Sequence, residues 1–240
     1  MRLPYQGYIF DLYGTLTDIR TDQADPRLWQ KTALYYTEHG APYAGGELTS
    51  AYQRLCAEEQ ASSGEPLYEI ELRRVFRALY TEKGLRPDAR RVEETAVFFR
   101  LTSLRRLRRY AWVLPAFSAL RAQGARLYLL SNAQSCFTVP ELRALSLAEA
   151  FDAVVLSSDV GLKKPDRRIM EALLEREGLA AADCLMVGND RLCDVGLADS
   201  VGMDALYLHT RTSGVYKDAP RAKYELLDGN FTKIHGFLGL

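Results

Sequence analysis

Four groups of polar side chains in this 240-residue sequence stand where an apolar segment ends or where a helical pattern begins. They are Asp11, Ser131-Asn132, Lys163-Lys164 and Gly188-Asn189-Asp190. Together they supply carboxylates, a hydroxyl, an amide and an ammonium. This chemistry suits an anionic group held by a cation and hydrogen-bond donors, beside a carboxylate that acts as a nucleophile or a metal ligand. The sequence therefore indicates one catalytic site, provided that the fold gathers the four groups.

Short apolar segments bounded by Gly, Asn, Asp or Ser predict the strands that would position these groups. The segments are Tyr8–Phe10, Arg126–Leu130, Ala153–Leu156, Cys184–Val187 and Ala205–Leu208. The helical patterns between the last four are Pro140–Ala150, Asp166–Glu177 with Gly178 as a stop, and Asp190–Val201 with Gly202 as a stop. This alternation predicts an α/β fold, a doubly wound parallel sheet with right-handed crossovers. Since functional groups gather at the carboxyl ends of parallel strands, all four groups are expected to face one crevice.

The stretch from about Thr17 to Arg109 has a different pattern. It shows no strand-like segment, and its apolar residues recur at helical spacing. The predicted helices are Leu28–His39, Glu47–Gln60, Leu67–Lys83 and Ala89–Leu107. We therefore predict a helical domain, residues 17–109, inserted after the first strand of a core formed by residues 1–16 and 110–240. The tail after His209 is weakly patterned, and we expect coil with a short final helix.

The net charge and the hydropathy of the sequence indicate which classes of partner the protein can bind. Lys and Arg together number 31, as do Asp and Glu, so no global field draws the chain to nucleic acid or to an anionic membrane. The longest apolar runs, such as Ala111–Phe117, are too short to span a bilayer, and Asp11 interrupts the N-terminal segment before a signal-like core can form. We expect a cytoplasmic protein with a small-molecule substrate, no nucleic-acid or membrane partner, and a monomeric or homodimeric state.

The cysteines and histidines do not form a metal-binding pattern. The four cysteines, Cys56, Cys136, Cys184 and Cys193, include no C-x-x-C pair, and the three histidines do not cluster with them. We expect reduced, partly buried thiols.

The chain resembles the haloacid dehalogenase superfamily in four motifs. The family's motifs are a strand-end D-x-D-G-T, a strand-end Ser or Thr, a Lys before a helix, and an acidic pair after a late strand. The matching segments are Asp11-Leu12-Tyr13-Gly14-Thr15-Leu16, Leu130-Ser131-Asn132, Lys164-Pro165-Asp166, and Val187-Gly188-Asn189-Asp190 through Asp194. The resemblance covers nearly the whole chain, and it implies a Rossmann-like core with a helical cap at the position of the insert.

The resemblance also implies a hydrolase with a covalent aspartyl intermediate. Asp11 would be the nucleophile that attacks phosphorus or carbon. Ser131 would hold a substrate oxygen, and Asn132 and Lys164 would also contact the substrate. Lys164 would neutralise charge between the nucleophile and the leaving anion. Thr15 would support the loop and donate to the transferred group or to Asp11.

Mg²⁺ is the cofactor that the resemblance implies. In phosphatases of the family the metal is bound by the first carboxylate, by the main-chain carbonyl two residues on, and by an acid of the fourth motif. These positions correspond to Asp11, the Tyr13 carbonyl and Asp190, with Asn189 and Asp194 expected as supporting residues.

Two residues depart from the pattern of the family's phosphatases. Tyr13 stands where an Asp normally protonates the leaving alkoxide and later activates water, and a phenol with a pKa of about 10 is a poor base at neutral pH. Asn189 stands where many members have Asp. The amide keeps an oxygen for a metal or a water but loses a charge.

D-x-Y-G-T-L is also the first motif of the 2-haloacid dehalogenases, in which a halide leaves without a proton. That branch has Ser and Asn in the fourth motif where this chain has Asn189 and Arg191, and a Tyr where this chain has Met170. The retained Asp190 favours a cation. We therefore expect a Mg²⁺-dependent phosphatase acting on a small phosphorylated metabolite. A 2-haloacid dehalogenase-like hydrolase, or a weakly active or non-enzymatic binding member of the fold, are the alternatives.

The basic segment Arg105–Arg109 admits two interpretations. It could guide anions from the hinge of the insert into the crevice, or contact nucleic acid. The simpler interpretation is the solvated face of the last helix of the insert, paired with acids such as Glu93 and Glu94. Side chains of the insert that could face the site are Arg27, Tyr43 and Arg54.

Overall fold

The computed structural model describes residues 3–240, in which six of the strands form one parallel sheet. The strands in chain order are β1 (Gly7–Phe10), β2 (Thr17–Thr21), β3 (Leu104–Arg109), β4 (Arg126–Ser131), β5 (Ala153–Leu156), β6 (Cys184–Gly188), β7 (Asp204–Leu208) and β8 (Tyr224–Leu226). The sheet has the order β5-β4-β1-β6-β7-β8, and every neighbouring pair is parallel. The predicted fold class and the five predicted strands are confirmed. Because β1 lies between β4 and β6, the residues after these three strands meet at one edge of the sheet.

Helices cover both faces of the sheet and form the insert. In chain order they are α1 (Pro26–Glu38), α2 (Gly45–Ser62), α3 (Leu72–Thr81), α4 (Ala89–Ser103), α5 (Val113–Ala122), α6 (Ser135–Ala144), α7 (Ser157–Val160), α8 (Arg167–Glu177), a π-helical turn (Arg191–Val195), α9 (Gly196–Ser200) and α10 (Ile234–Leu238). Side chains alternate along β1, so that Phe10 packs in one apolar cluster with α5 while Ile9 packs in another with α8. The sheet is therefore buried on both faces, as parallel sheets are.

One predicted helix of the core lies elsewhere. The pattern at Pro140–Ala150 predicts a start at Pro140, but α6 begins at Ser135 and ends at Ala144, with Pro140 inside it. The Gln134 carbonyl accepts the first amides of this helix, and the Ser135 amide donates to Ser158 Oγ at 2.9 Å. The start is set by a contact with a residue distant in sequence, which periodicity cannot reveal. The predicted helices at 166–177 and 190–201 are present as α8 and as the π-helical turn with α9.

Helices α1 to α4 form a bundle with an aromatic core. Tyr36, Phe76 and Phe99 are fully buried in it, and α4 also packs against α6 of the core. The prediction that the stretch 17–109 contains no strand is wrong. β2 and β3 pair antiparallel as a two-stranded ribbon at its two ends, and α4 stops at Ser103, not at Leu107. Each strand has its partner far away in the sequence, so neither shows a local hairpin signal.

The basic segment Arg105–Arg109 lies in β3, and its predicted pairing with Glu93 and Glu94 is wrong. Arg106 and Arg108 instead contact Asp18 across the ribbon, at 3.0 and 3.5 Å. Since the segment is a strand, its alternate side chains point outward on a surface ribbon and not along one helical face.

The tail contains the expected short helix, α10, and one strand that its weak pattern did not predict. That strand, β8, extends the sheet beside β7. None of the helices among residues 3–240 is both long and apolar enough to cross a membrane. Cys56, Cys136, Cys184 and Cys193 are free thiols.

Candidate active site

Asp11 lies at the carboxyl end of β1 with only 7% of its surface exposed. Its amide donates to the Val187 carbonyl of β6, which keeps the backbone in register with the sheet as the strand ends. Asp11 Oδ1 accepts from Ser131 Oγ at 3.0 Å and from Lys164 Nζ at 2.8 Å, and Oδ2 accepts from Thr15 Oγ1 at 3.1 Å. Three donors from three different segments therefore fix the orientation of one carboxylate.

Lys164 is almost entirely buried, and its ammonium group donates three hydrogen bonds to protein oxygens. Nζ donates to Asp11 Oδ1, to Asp194 Oδ1 at 2.6 Å and to the Leu130 carbonyl at 3.0 Å. The Asn132 side chain bonds to the main chain of this lysine. Asn132 Oδ1 accepts from the Lys164 amide at 2.7 Å, and Asn132 Nδ2 donates to the Lys164 carbonyl at 3.0 Å. The structure thus gives Asn132 a positioning role, which differs from the predicted substrate contact.

The Lys164 ammonium pairs with two buried carboxylates, and this arrangement shifts the pKa values of Lys164 and Asp194. Burial alone would lower the pKa of Lys164, but Asp11 and Asp194 raise it above its ordinary value. Burial raises the pKa of Asp194 to about 6, with Lys164 opposing the rise and Asp11 adding to it. When all three groups are ionised, the cluster carries one net negative charge.

The loop after β6 places Asn189 and Asp194, rather than Asp190, toward Asp11. The Asp190 carboxylate caps the following helical turn, accepting from the amides of Leu192 and Cys193 at 2.9 and 2.7 Å, and its second oxygen accepts from Tyr216. The predicted metal-ligand role of Asp190 therefore has no geometric support. Sequence spacing alone did not distinguish a capping acid from one that faces the site.

Asn189 and Asp194 are both buried and bonded to neighbouring loops of the candidate site. Asn189 Oδ1 lies 3.1 Å from Thr15 Oγ1, and Asp194 Oδ2 accepts from the Asp190 amide at 2.9 Å. A Cβ atom on Gly188 would lie 2.2 Å from Asp194 Oδ2, so only glycine lets the carboxylate fold back under the strand end.

The Tyr13 side chain makes its contacts where the core meets the insert. Its hydroxyl donates to Glu141 Oε2 of α6 and lies 2.9 Å from Thr138 Oγ1. Arg100 of α4 donates to Glu141 Oε1 at 2.6 Å, and its guanidinium carbon lies 5.5 Å from the centre of the Tyr13 ring. Burial and the Glu141 charge raise the pKa of Tyr13 well above its ordinary value. We call Tyr13, Glu141 and Arg100 the latch.

The sequence did not reveal Glu141 and Arg100 as residues near the site. Glu141 is only 6% exposed although glutamate is ordinarily a surface residue. The signal that could have found it is a charged residue within the apolar face of the helix that follows Ser131-Asn132. Its partner Arg100 comes from the insert and could not be inferred locally.

A family model for haloacid dehalogenase-like hydrolases matches residues 5–202, which includes every loop described above. The chain belongs to this family. It is 34% identical over 229 residues to phosphoglycolate phosphatase from Escherichia coli K12, covering 85% of this chain and 81% of that protein. It is 25% identical over 226 residues to (S)-2-haloacid dehalogenase from Pseudomonas putida, covering 89% and 88%.

Further comparisons agree with membership of the family. Phosphoserine phosphatase from Thermus thermophilus is 30% identical over 161 residues, but the match spans 67% of this chain and only 62% of that protein. Among solved structures, a 2-haloacid dehalogenase from Pseudomonas syringae pv. tomato DC3000 superimposes with a TM-score of 0.67 at 20% identity, covering 98% of both chains. The fold and the hydrolase class are therefore established for this haloacid dehalogenase-like protein.

The donor atoms beside Asp11 suit a hard divalent cation. Asp11 Oδ2 and Asn189 Oδ1 both lie 3.1 Å from the Thr15 hydroxyl, so a carboxylate oxygen and an amide oxygen are close neighbours there. Within residues 3–240, no group of three or more His, Cys, Asp and Glu side chains could hold a metal without other donors. Mg²⁺ accepts such a sparse set, because it binds one or two carboxylates and completes its shell with neutral oxygens, water and substrate phosphate.

The side chains of the insert that the sequence suggested for substrate contact bond within the insert. The Tyr43 hydroxyl donates to the Leu79 carbonyl, Arg54 pairs with Glu58 and Glu82, and Arg27 pairs with Asp25 at its own helix start. None of these bonds brings the three residues into contact with Asp11, so their predicted role has no support here.

Breaking the latch is expected to cost stability. Glu141→Gln removes the charge that neutralises Arg100, whose side chain is only 12% exposed, and we expect a loss of about 3 kcal/mol in the free energy of unfolding. Urea denaturation followed by far-UV circular dichroism measures it. The matched control is Glu94→Gln, which breaks an exposed Arg90 pair on the same helix α4 and should cost less than about 1 kcal/mol. Equal losses in the two variants would contradict a buried, coupled latch.

Proposed function

We propose that this protein is a Mg²⁺-dependent phosphatase that acts on a small phosphorylated metabolite through an aspartyl phosphate on Asp11. The observation that carries the proposal is the Asp11 carboxylate itself. It is held by Ser131, Thr15 and Lys164 at the buried end of β1, where its orientation is fixed before substrate arrives. A nucleophile that is already oriented in this way lowers the entropic part of the barrier to attack.

The charge of the site supports a phosphate substrate that arrives with a divalent cation. The cluster of Asp11, Asp194 and Lys164 is already net negative, and its one ammonium is fully engaged. A phosphate dianion would add further negative charge at the same place. Mg²⁺ held by Asp11, Asn189 and the Tyr13 carbonyl would supply the positive charge that offsets it.

The residues of this chain have distinct tasks in the proposed reaction. Asp11 attacks the phosphorus, and the bond to the leaving oxygen breaks with its electron pair. Water then attacks the aspartyl phosphate, releasing inorganic phosphate and restoring the carboxylate. Ser131 and Thr15 hold the carboxylate, while Lys164 neutralises the charge that gathers around it.

We further propose that residues 17–109 act as a cap on a core of residues 1–16 and 110–240. The segment between α2 and α3 lies against the loops of the site: the Leu72 amide donates to Gln134 Oε1 at 2.9 Å, Gln134 Nε2 donates to the Ile70 carbonyl at 2.7 Å, and the Lys163 amide donates to the Leu67 carbonyl at 3.0 Å. These residues border Asn132 and Lys164. A cap in this place excludes bulk water during the reaction and must move to admit substrate.

Dehalogenation is the second candidate, and Tyr13 is the observation that favours it. The tyrosine replaces a carboxylic acid that a departing halide would not need. Against this candidate, the identity to phosphoglycolate phosphatase from E. coli is higher than the identity to the P. putida dehalogenase.

A substrate panel with and without Mg²⁺ tests both candidates. Purified protein is incubated with phosphate monoesters, acyl phosphates and 2-haloacids, and released phosphate and halide are measured separately. We expect phosphate release that EDTA abolishes and added Mg²⁺ restores. Halide release that is insensitive to EDTA, without phosphate release, would establish the dehalogenase instead. Release of neither product would support a binding member of the family.

A further inference from the structure

We propose that the site transfers phosphoryl groups only from good leaving groups, such as acyl, aryl or enol phosphates and phosphoanhydrides, because Tyr13 is committed to the latch. This inference rests on the proposed phosphatase function and narrows its substrate class. An alkoxide must be protonated as its bond to phosphorus breaks, whereas a carboxylate or a phenolate of low basicity can leave as the anion. The identity of a possible proton donor near Asp11 therefore decides the substrate class.

The Tyr13 hydroxyl is committed to partners on α6, where it bonds Glu141 and lies 2.9 Å from Thr138 Oγ1. Its hydrogen is donated to Glu141, on α6, and its ring lies beside Arg100 of the insert. The Glu141 carboxylate is in turn occupied, because Arg100 donates to both of its oxygens. Tyr13 cannot reach a leaving oxygen without giving up its hydrogen bond to a buried carboxylate. Glu141 cannot do so without breaking its buried ion pair with Arg100, which costs several kcal/mol.

The other side chains around Asp11 have already given their hydrogens to protein oxygens. Thr15 and Ser131 donate to Asp11, and Lys164 donates to Asp11, Asp194 and the Leu130 carbonyl. Asp194 lies behind Lys164, with one oxygen on its ammonium and the other on the Asp190 amide. Among residues 3–240, the groups that contact Asp11 thus include no carboxylic acid positioned to protonate a leaving group.

The reaction of an acyl phosphate balances without such an acid. Asp11 attacks phosphorus, the bond between phosphorus and the acyl oxygen breaks, and the acyl group leaves as a carboxylate. Water then displaces the Asp11 carboxylate from phosphorus, giving inorganic phosphate and one proton to solvent. An alkyl phosphate would instead have to expel an alkoxide, which is strongly basic.

The experiment measures kcat/KM at saturating Mg²⁺ for acetyl phosphate, a series of aryl phosphates of increasing leaving-group pKa, and the alkyl phosphates phosphoglycolate and glycerol 3-phosphate. Spontaneous hydrolysis is subtracted. We expect a steep fall in kcat/KM with leaving-group pKa, and alkyl substrates slower than acetyl phosphate by at least about 10²-fold, the usual worth of a general acid. Alkyl phosphates turned over as fast as acetyl phosphate would overturn the inference.

Two variants separate this geometry from alternatives. Tyr13→Phe keeps the ring beside Arg100 and removes the hydroxyl, and it should leave the alkyl-to-acyl ratio unchanged. A selective loss of alkyl turnover in this variant would show that Tyr13 is itself the acid, contrary to the proposal. Tyr13→Asp places a carboxyl group on the loop and should raise the ratio, by up to about 10² to 10⁴ if it is well placed.

If no substrate of the series releases phosphate with Mg²⁺, the phosphatase proposal fails. The inference about leaving groups is contradicted only by efficient alkyl turnover or by the selective loss in Tyr13→Phe.

Discussion

Asp11→Asn is expected to reduce phosphate release by on the order of 10³-fold or more while the protein stays folded, as removal of a catalytic nucleophile does. The amide keeps the shape of the side chain and can still accept from Ser131 and Thr15, but it has no anionic oxygen to attack phosphorus. Steady-state phosphate release measures the loss, and thermal denaturation checks the fold. A covalent phosphate adduct detected by intact-mass analysis after acid quenching should disappear in the variant.

The matched control for Asp11→Asn is Asp152→Asn. Asp152 precedes β5 and accepts from the Leu127 amide at 2.7 Å, so it lies at the amino edge of the sheet, opposite the site. The same change of charge there should leave kcat/KM near the wild-type value. Substantial turnover in Asp11→Asn, or an equal loss in both variants, would remove covalent catalysis by Asp11 from the mechanism.

Lys164→Met is expected to impair both folding and turnover. The lysine is buried between Asp11 and Asp194, at 2.8 and 2.6 Å, and methionine fills a similar volume without charge. Two buried carboxylates then lack their cation, which should cost about 3–5 kcal/mol in the free energy of unfolding. The lost neutralisation should reduce turnover by about 10²-fold or more.

The loss of stability in Lys164→Met should depend on pH in a defined direction. Burial already raises the pKa of Asp194 to about 6, and removal of the ammonium raises it further. A carboxyl group whose pKa is higher in the folded state binds a proton preferentially there. Its protonation stabilises the fold at low pH, and this contribution is lost as the pH rises through the folded-state pKa. The variant should therefore be closer to wild type at pH 5 than at pH 8.

Urea denaturation at the two pH values, with EDTA present throughout, measures this difference. Lys163→Met is the control, since the neighbouring lysine is only half-buried and its main-chain amide makes the observed contact, to the Leu67 carbonyl. It should change stability by no more than about 0.5 kcal/mol at either pH. A Lys164→Met deficit that is the same at pH 5 and pH 8 would contradict a charge cluster in which Asp194 takes up a proton.

The latch gives Tyr13 a structural role in the loop after β1. Its hydroxyl donates to Glu141 of α6, and its ring lies beside Arg100 of α4. Arg100 also donates to Glu141, so the three side chains couple this loop to the insert.

Five of the six strands of the sheet, and the meeting of Asp11 with Ser131 and Lys164, could be predicted from the sequence. Buried parallel strands are short apolar segments with sharp polar ends, and their carboxyl ends converge at one edge, so Asp11, Ser131 and Lys164 could be predicted to meet. They do, within hydrogen-bond distance. The apolar pattern of a strand and the polar residues at its end are adjacent in the chain, so both can be recognised in a single sequence.

The contacts of the remaining polar residues depend on how distant segments of the chain pack together. Asp190 and Asp194 are both acids of one short segment, yet Asp190 caps a helical turn and Asp194 pairs with Lys164 of another loop. The ribbon of β2 and β3 and the latch of Tyr13, Glu141 and Arg100 join residues that lie far apart in the chain. Their partners are set when the insert packs on the core. That packing brings together residues that are distant in the sequence, so the local pattern of residues does not predict it.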